Sequence, residues 1–529
     1  MILNKVISNK TENQIFGSVF EQYRIASFVQ NVCAELHAIL SFHEKHLVNP
    51  VTVFTSARNE KGSSAYEFNQ KLGYSLAQHG FQVLTGGGPG GMEAINRGAK
   101  EAGGESFGID IEVPFENKLN PYLDAHAMAK YFFTRKLGLL LPAVALIVTP
   151  GGFGTHDELF EVIHLKDRNP ELKMPIILVG QKYYQDLYNR LETAYQKGHI
   201  KRPINELIKL IDDPKDIVNY IDANQQPLNT VRKIDINHIY DNLMEQMVKL
   251  SQARARYPFT VSIFASTYDD KSWWWPYESI TNLSRELTLN GISTMIRASD
   301  PFLMAAIEGY EEASKLSEQH PHSLQAPVCL ECFEEKAGQT KRTRDELFTF
   351  SSSLIFENKL IATRFANLGG IFYPGGAGTL DYFFEILCLK QTFKINVPVP
   401  IPAFHAIENR FSLPNGTIND GLNHLQIIDR DGHITTNFQP RNPKLNLEKQ
   451  KEVPLEAEEL IIKALLDSQN IPLILLGEKH WVPYLKYFQD SIIRSGAAKW
   501  SDLELFSITN NYGDALTKLL NYRRSLITW

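Results

Sequence analysis

Cysteine is scarce, with four residues in a chain of 529. That excludes a disulfide-built scaffold and suits a reducing compartment. Charge of one sign is not in excess either: 54 Lys and Arg stand against 60 Asp and Glu, a formal net charge of −6. No general attraction to nucleic acid or to an anionic membrane follows from such a balance. Long apolar runs are missing. The longest, Leu137 to Thr149, has 13 residues and contains Pro142, whereas a membrane span needs roughly 18 or more. The start, MILNKVISNKTENQ, is polar and lacks a signal-peptide core. A cytoplasmic protein is expected. Hydrophobic residues make up 43% and charged residues 22%, a globular balance. The length exceeds one core of about 150 residues, so two or more domains are expected.

What the chain does have is an internal repeat. Pro150-Gly-Gly-Phe-Gly-Thr155 returns 224 residues later as Pro374-Gly-Gly-Ala-Gly-Thr379. Val51–Ser56 (VTVFTS) resembles Val261–Ser266 (VSIFAS), and Pro175–Gly180 (PIILVG) resembles Pro472–Gly477 (PLILLG). The order of features is the same in both halves, so one domain is written twice, the second time with about 73 extra residues near 395–470. The expected organisation is a helical N-terminal extension at 1–48, a first domain at 49–225, a connecting helix at 226–257 and a degenerate second domain at 258–529.

Each copy alternates short β-branched runs with amphipathic stretches. In the first, Val51–Phe54, Phe81–Leu84, Phe107–Val113, Ala143–Val148 and Ile176–Val179 read as strands. Ala65–Gln78, Gly91–Ala102 and Asp157–Leu165 read as helices. The alternation predicts an α/β protein: two tandem Rossmann-like, doubly wound parallel-sheet domains with helices on both faces.

Two glycine-rich turns in the first copy carry chemistry. Thr85-Gly-Gly-Gly-Pro-Gly-Gly91 follows a strand and opens a helix, as does Pro150–Thr155. Glycine lets backbone N–H groups approach an anion, and the helix N-terminus adds partial positive charge. Gly86, Gly88 and Gly91 match G-x-G-x-x-G with Asp110 as the acid, a pattern that alone is weak evidence and also describes a tight turn without ligand. Two such turns along the carboxyl edge of one sheet define a ligand crevice. Neither is followed by Gly-Lys-Ser/Thr, which argues against phosphoryl transfer from a triphosphate. Arg135-Lys136 lies between them; alone it would read as a solvated helix face. Glu158 and Glu161 share a helical face, and Glu158 alone would read as a first-turn carboxylate favoured by the dipole.

Taken together, TSAR (Thr55–Arg58), TGGGPGGMEAINRGAKEAGG (Thr85–Gly104), IEVPFENKLNPY (Ile111–Tyr122), FFTRK (Phe132–Lys136) and PGGFGTHDELFEV (Pro150–Val162) resemble the LONELY GUY (LOG) family, once often labelled lysine decarboxylase. The resemblance covers about 110 residues of the first copy and is weak in the second. It implies a nucleoside 5′-monophosphate phosphoribohydrolase, which releases a free base and ribose 5-phosphate from AMP-like nucleotides or cytokinin ribotides. It implies Arg135 and Glu158 as the catalytic pair. Lys136, Glu161, Gly151, Gly152, Gly154 and Thr155 would bind the nucleotide. Ser56, Arg58, Gly87, Gly88, Gly90 and Gly91 would line the site, with Met92, Glu93 and Asn96 on the helix that closes it. No cofactor and no metal are expected. Glycosidic cleavage builds positive charge on the sugar, which a carboxylate stabilises. A decarboxylase would need a Schiff-base lysine for pyridoxal phosphate, and nothing marks one.

The second copy departs from this pattern. At an offset of 224, Tyr382 stands at Glu158, Lys359 at Arg135, Leu360 at Lys136 and Glu385 at Glu161. Arg297–Phe302 replaces the first glycine run. A catalytically silent copy is expected, kept for structure or regulation. LOG-family subunits pair, so the resemblance implies an internal pseudo-dimer, with further homo-oligomers left open. The alternative is a non-catalytic nucleotide-binding sensor on the same fold. Trp273-Trp-Trp275 suggests an interface, a stacking platform or packing against the insertion. Cys329-x-x-Cys332 reads as two ordinary thiols on one strand rather than half a zinc site, and Cys33 and Cys388 read as core.

Overall fold

A computed structural model of the chain describes residues 12–111, 119–225, 236–257, 259–265, 274–297, 301–316, 327–332, 348–352, 359, 362, 368–391, 397–400, 425–428, 434–435 and 470–527. Helix α1 (Glu12–His46) leads into the first sheet. There follow β1 (Pro50–Phe54), α2 (Ser64–Gln78), β2 (Gln82–Thr85), α3 (Gly91–Glu101), β3 (Ser106–Ile111), β4 (Ala125–Ala129) and α4 (Phe132–Leu140). Next come β5 (Ala145–Val148), α5 (Phe153–Arg168), β6 (Ile176–Leu178), α6 (Gln181–Gln196), α7 (Ile204–Leu207), β7 (Lys209–Leu210) and α8 (Pro214–Asn224). Helix α9 (Ile236–Arg256) connects to the second sheet.

The second part runs β8 (Thr260–Phe264), α10 (Trp274–Leu289), β9 (Ser293–Arg297), α11 (Pro301–Leu316), β10 (Val328–Cys332), β11 (Phe348–Ser352), β12 (Gly370–Phe372) and α12 (Ala377–Gln391). A small sheet of β13 (Val397–Pro400), β14 (Leu425–Ile428) and β15 (Ile434–Thr435) lies within the expected insertion. The chain closes with β16 (Leu473–Leu476), α13 (Glu478–Tyr487), a π-turn at Phe488–Ile493, β17 (Ser507–Thr509) and α14 (Tyr512–Ile527).

Both large sheets have seven strands, all parallel, in the orders β4-β3-β2-β1-β5-β6-β7 and β11-β10-β9-β8-β12-β16-β17. The chain therefore has the expected α/β class, with two Rossmann-like parallel sheets. In each, strand order reverses beside β1 or β8, and the crevice at that reversal is where doubly wound folds hold ligands. Central strands such as Ala145–Val148 are buried along their whole length, as strands covered on both faces must be. Edge strand β4 alternates instead, and for that reason gave no apolar run in the sequence. No helix among the described residues is long and apolar enough to cross a membrane.

Period-2 alternation divides the core of the first sheet. Val51, Val53, Val83 and Ile147 face α2, α3 and α8 through Leu72, Leu76, Ile95 and Ile217. Phe54, Leu84, Leu146 and Val148 face the other way, into a core that continues without interruption through Phe264, Ile371, Phe383 and Leu475 of the second sheet. Helices α5 and α12 meet across it. Phe160 stacks on Phe384 at 5.1 Å, and Phe153 packs against both Phe384 and Phe488. The contact is near-symmetric. A Cβ on Gly152 would overlap the Ala497 carbonyl, and one on Gly376 would overlap the His199 carbonyl. Such mutual burial, patch i on j and j on i, is the geometry of an isologous pair.

The shared core holds neutral histidine. His156 is fully buried, and burial pushes its pKa down to about 4, the Gly152 carbonyl opposing. The unfolded chain binds this proton below about pH 6.5 and the folded chain does not. Stability is therefore full above pH 6.5 and falls as pH drops from there toward 4. At pH 5 this ring alone costs on the order of 2 kcal/mol. The urea midpoint is expected to fall between pH 7.5 and 5, and a His156→Leu variant should lose part of that slope.

Candidate active site

The first glycine turn is built by hydroxyls and amides beneath it. Thr85 Oγ1 donates to Asn96 Oδ1 at 2.8 Å and accepts from the Gly87 amide at 3.0 Å. Asn96 Nδ2 donates to Ser106 Oγ at 2.7 Å. Asn120 Nδ2 reaches the carbonyls of Gly87 and Gly88 and Asn96 Oδ1, each at 3.0 Å. Asn96 is thus a brace of the turn and does not face the crevice. Asn120 is a second brace; it lies in the Ile111–Tyr122 block, where the sequence gave it no role of its own. Gly87 and Gly90 take φ of 74° and 70°, where a side chain is strained. A Cβ on Gly90 would overlap the Ala57 carbonyl, and one on Gly91 the Thr55 hydroxyl. The Gly91 amide donates to the Ser56 carbonyl at 2.8 Å, and the Arg58 amide to Ser56 Oγ at 3.2 Å. Ser56 therefore shapes the loop after β1. Arg58 is exposed and its guanidinium donates to the Ala497 carbonyl of the second domain at 3.0 Å. Glu93 pairs with Lys61 at 2.7 Å.

Arg135 is positioned by three elements. Its helix, α4, starts without a side-chain cap of its own. Glu35 of α1 supplies it, accepting from the amides of Lys130 and Tyr131 at 2.9 and 3.2 Å and from the Thr134 hydroxyl. Arg135 Nε donates to the Ile109 carbonyl at the end of β3, at 3.0 Å. The guanidinium then lies over Gly86, where a Cβ would overlap Nη2 and stand 2.9 Å from the Met92 sulfur. Gly86 is the slot that admits Arg135, with Met92 against it. An alanine there would push aside the end of a flexible side chain, so Gly86→Ala should fold with a nearly unchanged Tm. A displacement of about 1 Å at a reacting group can cost about 10²-fold, so activity should fall by that order in the same protein.

Glu158 closes the pair. Its Oε1 lies 3.7 Å from Arg135 Nη1, and each side chain is only 14% exposed. It stands in the second turn of α5, not the expected first, because the helix is capped at Gly152, which is in extended conformation. The helix starts four residues before the expected Asp157 because the glycine turn itself begins the coil. Burial raises the Glu158 carboxyl above its ordinary value, Arg135 and then Lys136 pulling it back. Gly151 packs on Thr155, the Tyr183 hydroxyl donates to the Gly151 carbonyl at 2.6 Å, and Gly154 is exposed with nothing within 4 Å of its missing side chain.

Lys136 and Glu161, expected on the nucleotide, are elsewhere. Lys136 is 3% exposed and ion-paired with Asp157 at 2.7 Å, with Glu161 at 3.0 Å and with Glu385 of the second domain. Lys359 pairs with Asp381 and reaches Glu161 at 3.2 Å and Glu385 at 3.6 Å. His164 bonds Asp381 at 2.8 Å. These two residues serve a buried inter-domain charge cluster because its opposite charges satisfy them on every side. The cluster also corrects the counterpart assigned to Lys359. Lys359 meets Asp381 and Glu385 as Lys136 meets Asp157 and Glu161, so it answers to Lys136, not to Arg135. The segment before the second glycine turn is one residue longer in the second copy.

The corresponding place in the second domain is filled. Tyr382 stacks on Phe264 at 4.8 Å. The Gly375 amide donates to His480 at 3.4 Å, and Gly378 lies against the His164 ring. Residues 298–300, which replace the first glycine run, lie outside the described residues, as do Trp273 and most of the insertion. Trp275 is partly exposed beside Tyr373. Cys33 and Cys388 are buried and form no disulfide.

Fold and site together define a class: a doubly wound α/β domain with two glycine turns and an Arg–Glu pair. Residues 92–221 match the family model described as "Possible lysine decarboxylase". The chain is 25% identical over 182 residues to the cytokinin riboside 5′-monophosphate phosphoribohydrolase LOG3 of Arabidopsis thaliana, covering 34% of this chain and 84% of that protein. It is 26% identical over 183 residues to the enzyme of that name from Rhodococcoides fascians, covering 34% and 89%. Among solved structures, the molybdenum cofactor carrier protein of Chlamydomonas reinhardtii aligns with 21% identity over 33% of this chain and 97% of that one, at a TM-score of 0.26.

Proposed function

We propose that this chain hydrolyses the N-glycosidic bond of nucleoside 5′-monophosphates, AMP-like or cytokinin ribotides, in the first domain. The observation that carries the reading is the Arg135–Glu158 pair, sheltered at 14% exposure at the strand-order reversal between two glycine turns. The nucleotide phosphate would sit on backbone amides at the start of α5, where Gly154 leaves the approach open. As the C1′–N bond stretches, positive charge grows on the sugar and the Glu158 carboxylate stabilises it. Glu158 also orients a water, whose oxygen bonds to C1′. The water passes a proton to Glu158 as it bonds, and the base, which departs with the bonding electron pair, takes up one proton, so that OH ends on C1′ and H on the base. Arg135 holds an acceptor on the phosphate or the leaving base. The two sheets form an internal pseudo-dimer of repeated domains, in which the second contributes walls and no catalysis. A cytoplasmic location fits such a substrate.

The test is incubation of the full chain with a panel of nucleoside monophosphates, followed by chromatography of released bases. Release from at least one nucleotide supports hydrolysis. Tight binding with no base released from any of them would favour a sensor.

A further inference from the structure

The second glycine turn is held from below by its carbonyls. Tyr183 takes the Gly151 carbonyl at 2.6 Å. The Gly152 carbonyl accepts twice, from the His156 backbone amide at 3.2 Å as in any helix start and from His156 Nδ1 at 2.8 Å. A carbonyl only accepts, so Nδ1 carries the ring proton and Nε2 is an acceptor. The group 2.8 Å from Nε2 is the hydroxyl of Tyr487, on α13 of the second domain, and it must therefore donate. His156 and Tyr487 are buried, with Tyr487 1% exposed. In a trans peptide the C=O and the following N–H point in opposite directions. Pinning the Gly151 and Gly152 carbonyls inward thus fixes the amides of Gly152 and Phe153 outward.

The second domain shows that the fold does not require this chain of bonds. Leu380 stands where the first domain has His156, and His480 stands where it has Tyr183. There the ring takes the Gly375 amide, not a carbonyl. The relay Tyr487–His156–Gly152 is peculiar to the turn beside Glu158. We infer that Tyr487 of the second domain is a positioning residue for the first domain's site, orienting the anion-binding amides through His156. This rests on the nucleotide reading above and adds to it a defined task for the second domain.

Tyr487→Phe keeps the ring in its aromatic cluster and removes only the donor. In the full chain it should raise KM for 5′-AMP, or for the best nucleotide of the panel, about tenfold, the scale of one buried acceptor left unsatisfied. The effect on kcat should stay within about threefold, since Arg135 and Glu158 are untouched. His156→Leu, which copies the second domain, should do the same. The double variant should be no worse than either single one, because one relay is broken once. Amide hydrogen exchange across 151–155 should quicken in Tyr487→Phe while Tm falls by no more than about a few degrees. A KM and loop exchange equal to the wild type would overturn the inference. Should the wild type turn over no nucleotide, the functional reading falls by itself. Loop exchange then decides the relay: faster exchange in Tyr487→Phe upholds it and unchanged exchange overturns it.

Discussion

Glu158→Gln should lower kcat for base release by about 10³-fold while moving KM little. The amide keeps the size and the hydrogen-bonding capacity of the carboxylate but not its charge, and charge is what the developing oxocarbenium sugar requires. The ground-state nucleotide carries no such positive charge, so binding should survive. Arg135 stays in place because Ile109 and the Gly86 slot, not Glu158, define its position. The pH profile follows with a definite sign. Burial holds the Glu158 carboxyl above its ordinary 4.5, and the group must be ionised to act. The wild-type kcat/KM should therefore decline on acidification at a pH above 4.5. A stopped assay of released base on both proteins, with thermal melts as the folding control, reads all three expectations.

Lys136→Met should destabilise the whole chain by about 3–5 kcal/mol, the scale of removing one partner from a buried ion network. Four carboxylates, Asp157, Glu161, Asp381 and Glu385, meet two ammonium groups and His164 at the domain junction. Burial would lower the Lys136 pKa, but Asp157, Glu161 and Glu385 overcome it and hold the amine charged. For Asp381, burial works upward and Lys359 and His164 more than offset it. Asp157 is the exception. Burial lifts it well above the usual carboxylate range against the pull of Lys136, so it is the group readiest to accept a proton. The loss in Lys136→Met should accordingly shrink as pH falls, and Lys136→Met/Asp157→Asn should recover part of it. Urea unfolding of the wild type and the two variants at pH 8 and pH 6 measures this. Because the aromatic core is continuous across both sheets, one cooperative transition is expected rather than two.

The strands and the two glycine turns were legible in the sequence because each rests on local chemistry; the Arg–Glu pair came only from the family resemblance, since each residue alone reads as an ordinary helix charge. β-branched runs make buried strands, and glycine marks turns that must approach another backbone. Lys136 and Glu161 were misplaced because their partners in the second domain, Glu385 and Lys359, lie 249 and 198 residues away, and no local pattern announces them. A fixed offset also misaligned Lys359, since it admits no one-residue change between Lys359 and Pro374; the ion pairs reveal the true register. Strand β4 went unseen because an alternating edge strand looks like ordinary loop, and Asn120, though inside the Ile111–Tyr122 block, received no role because its partners are turn carbonyls 33 and 32 residues away. Helix α1 was expected as an extension, yet its Glu35 caps the helix of Arg135, a role set wholly by tertiary packing.

The claim at the centre is that the bond broken joins base to sugar, with the phosphate left where it was. Phosphorus NMR of a wild-type reaction on the preferred nucleotide, with the free base quantified in parallel, tests it most directly. Ribose 5-phosphate growing in equal amount with the base is the predicted result. Free inorganic phosphate in its place, or a nucleotide signal that never declines, would contradict it.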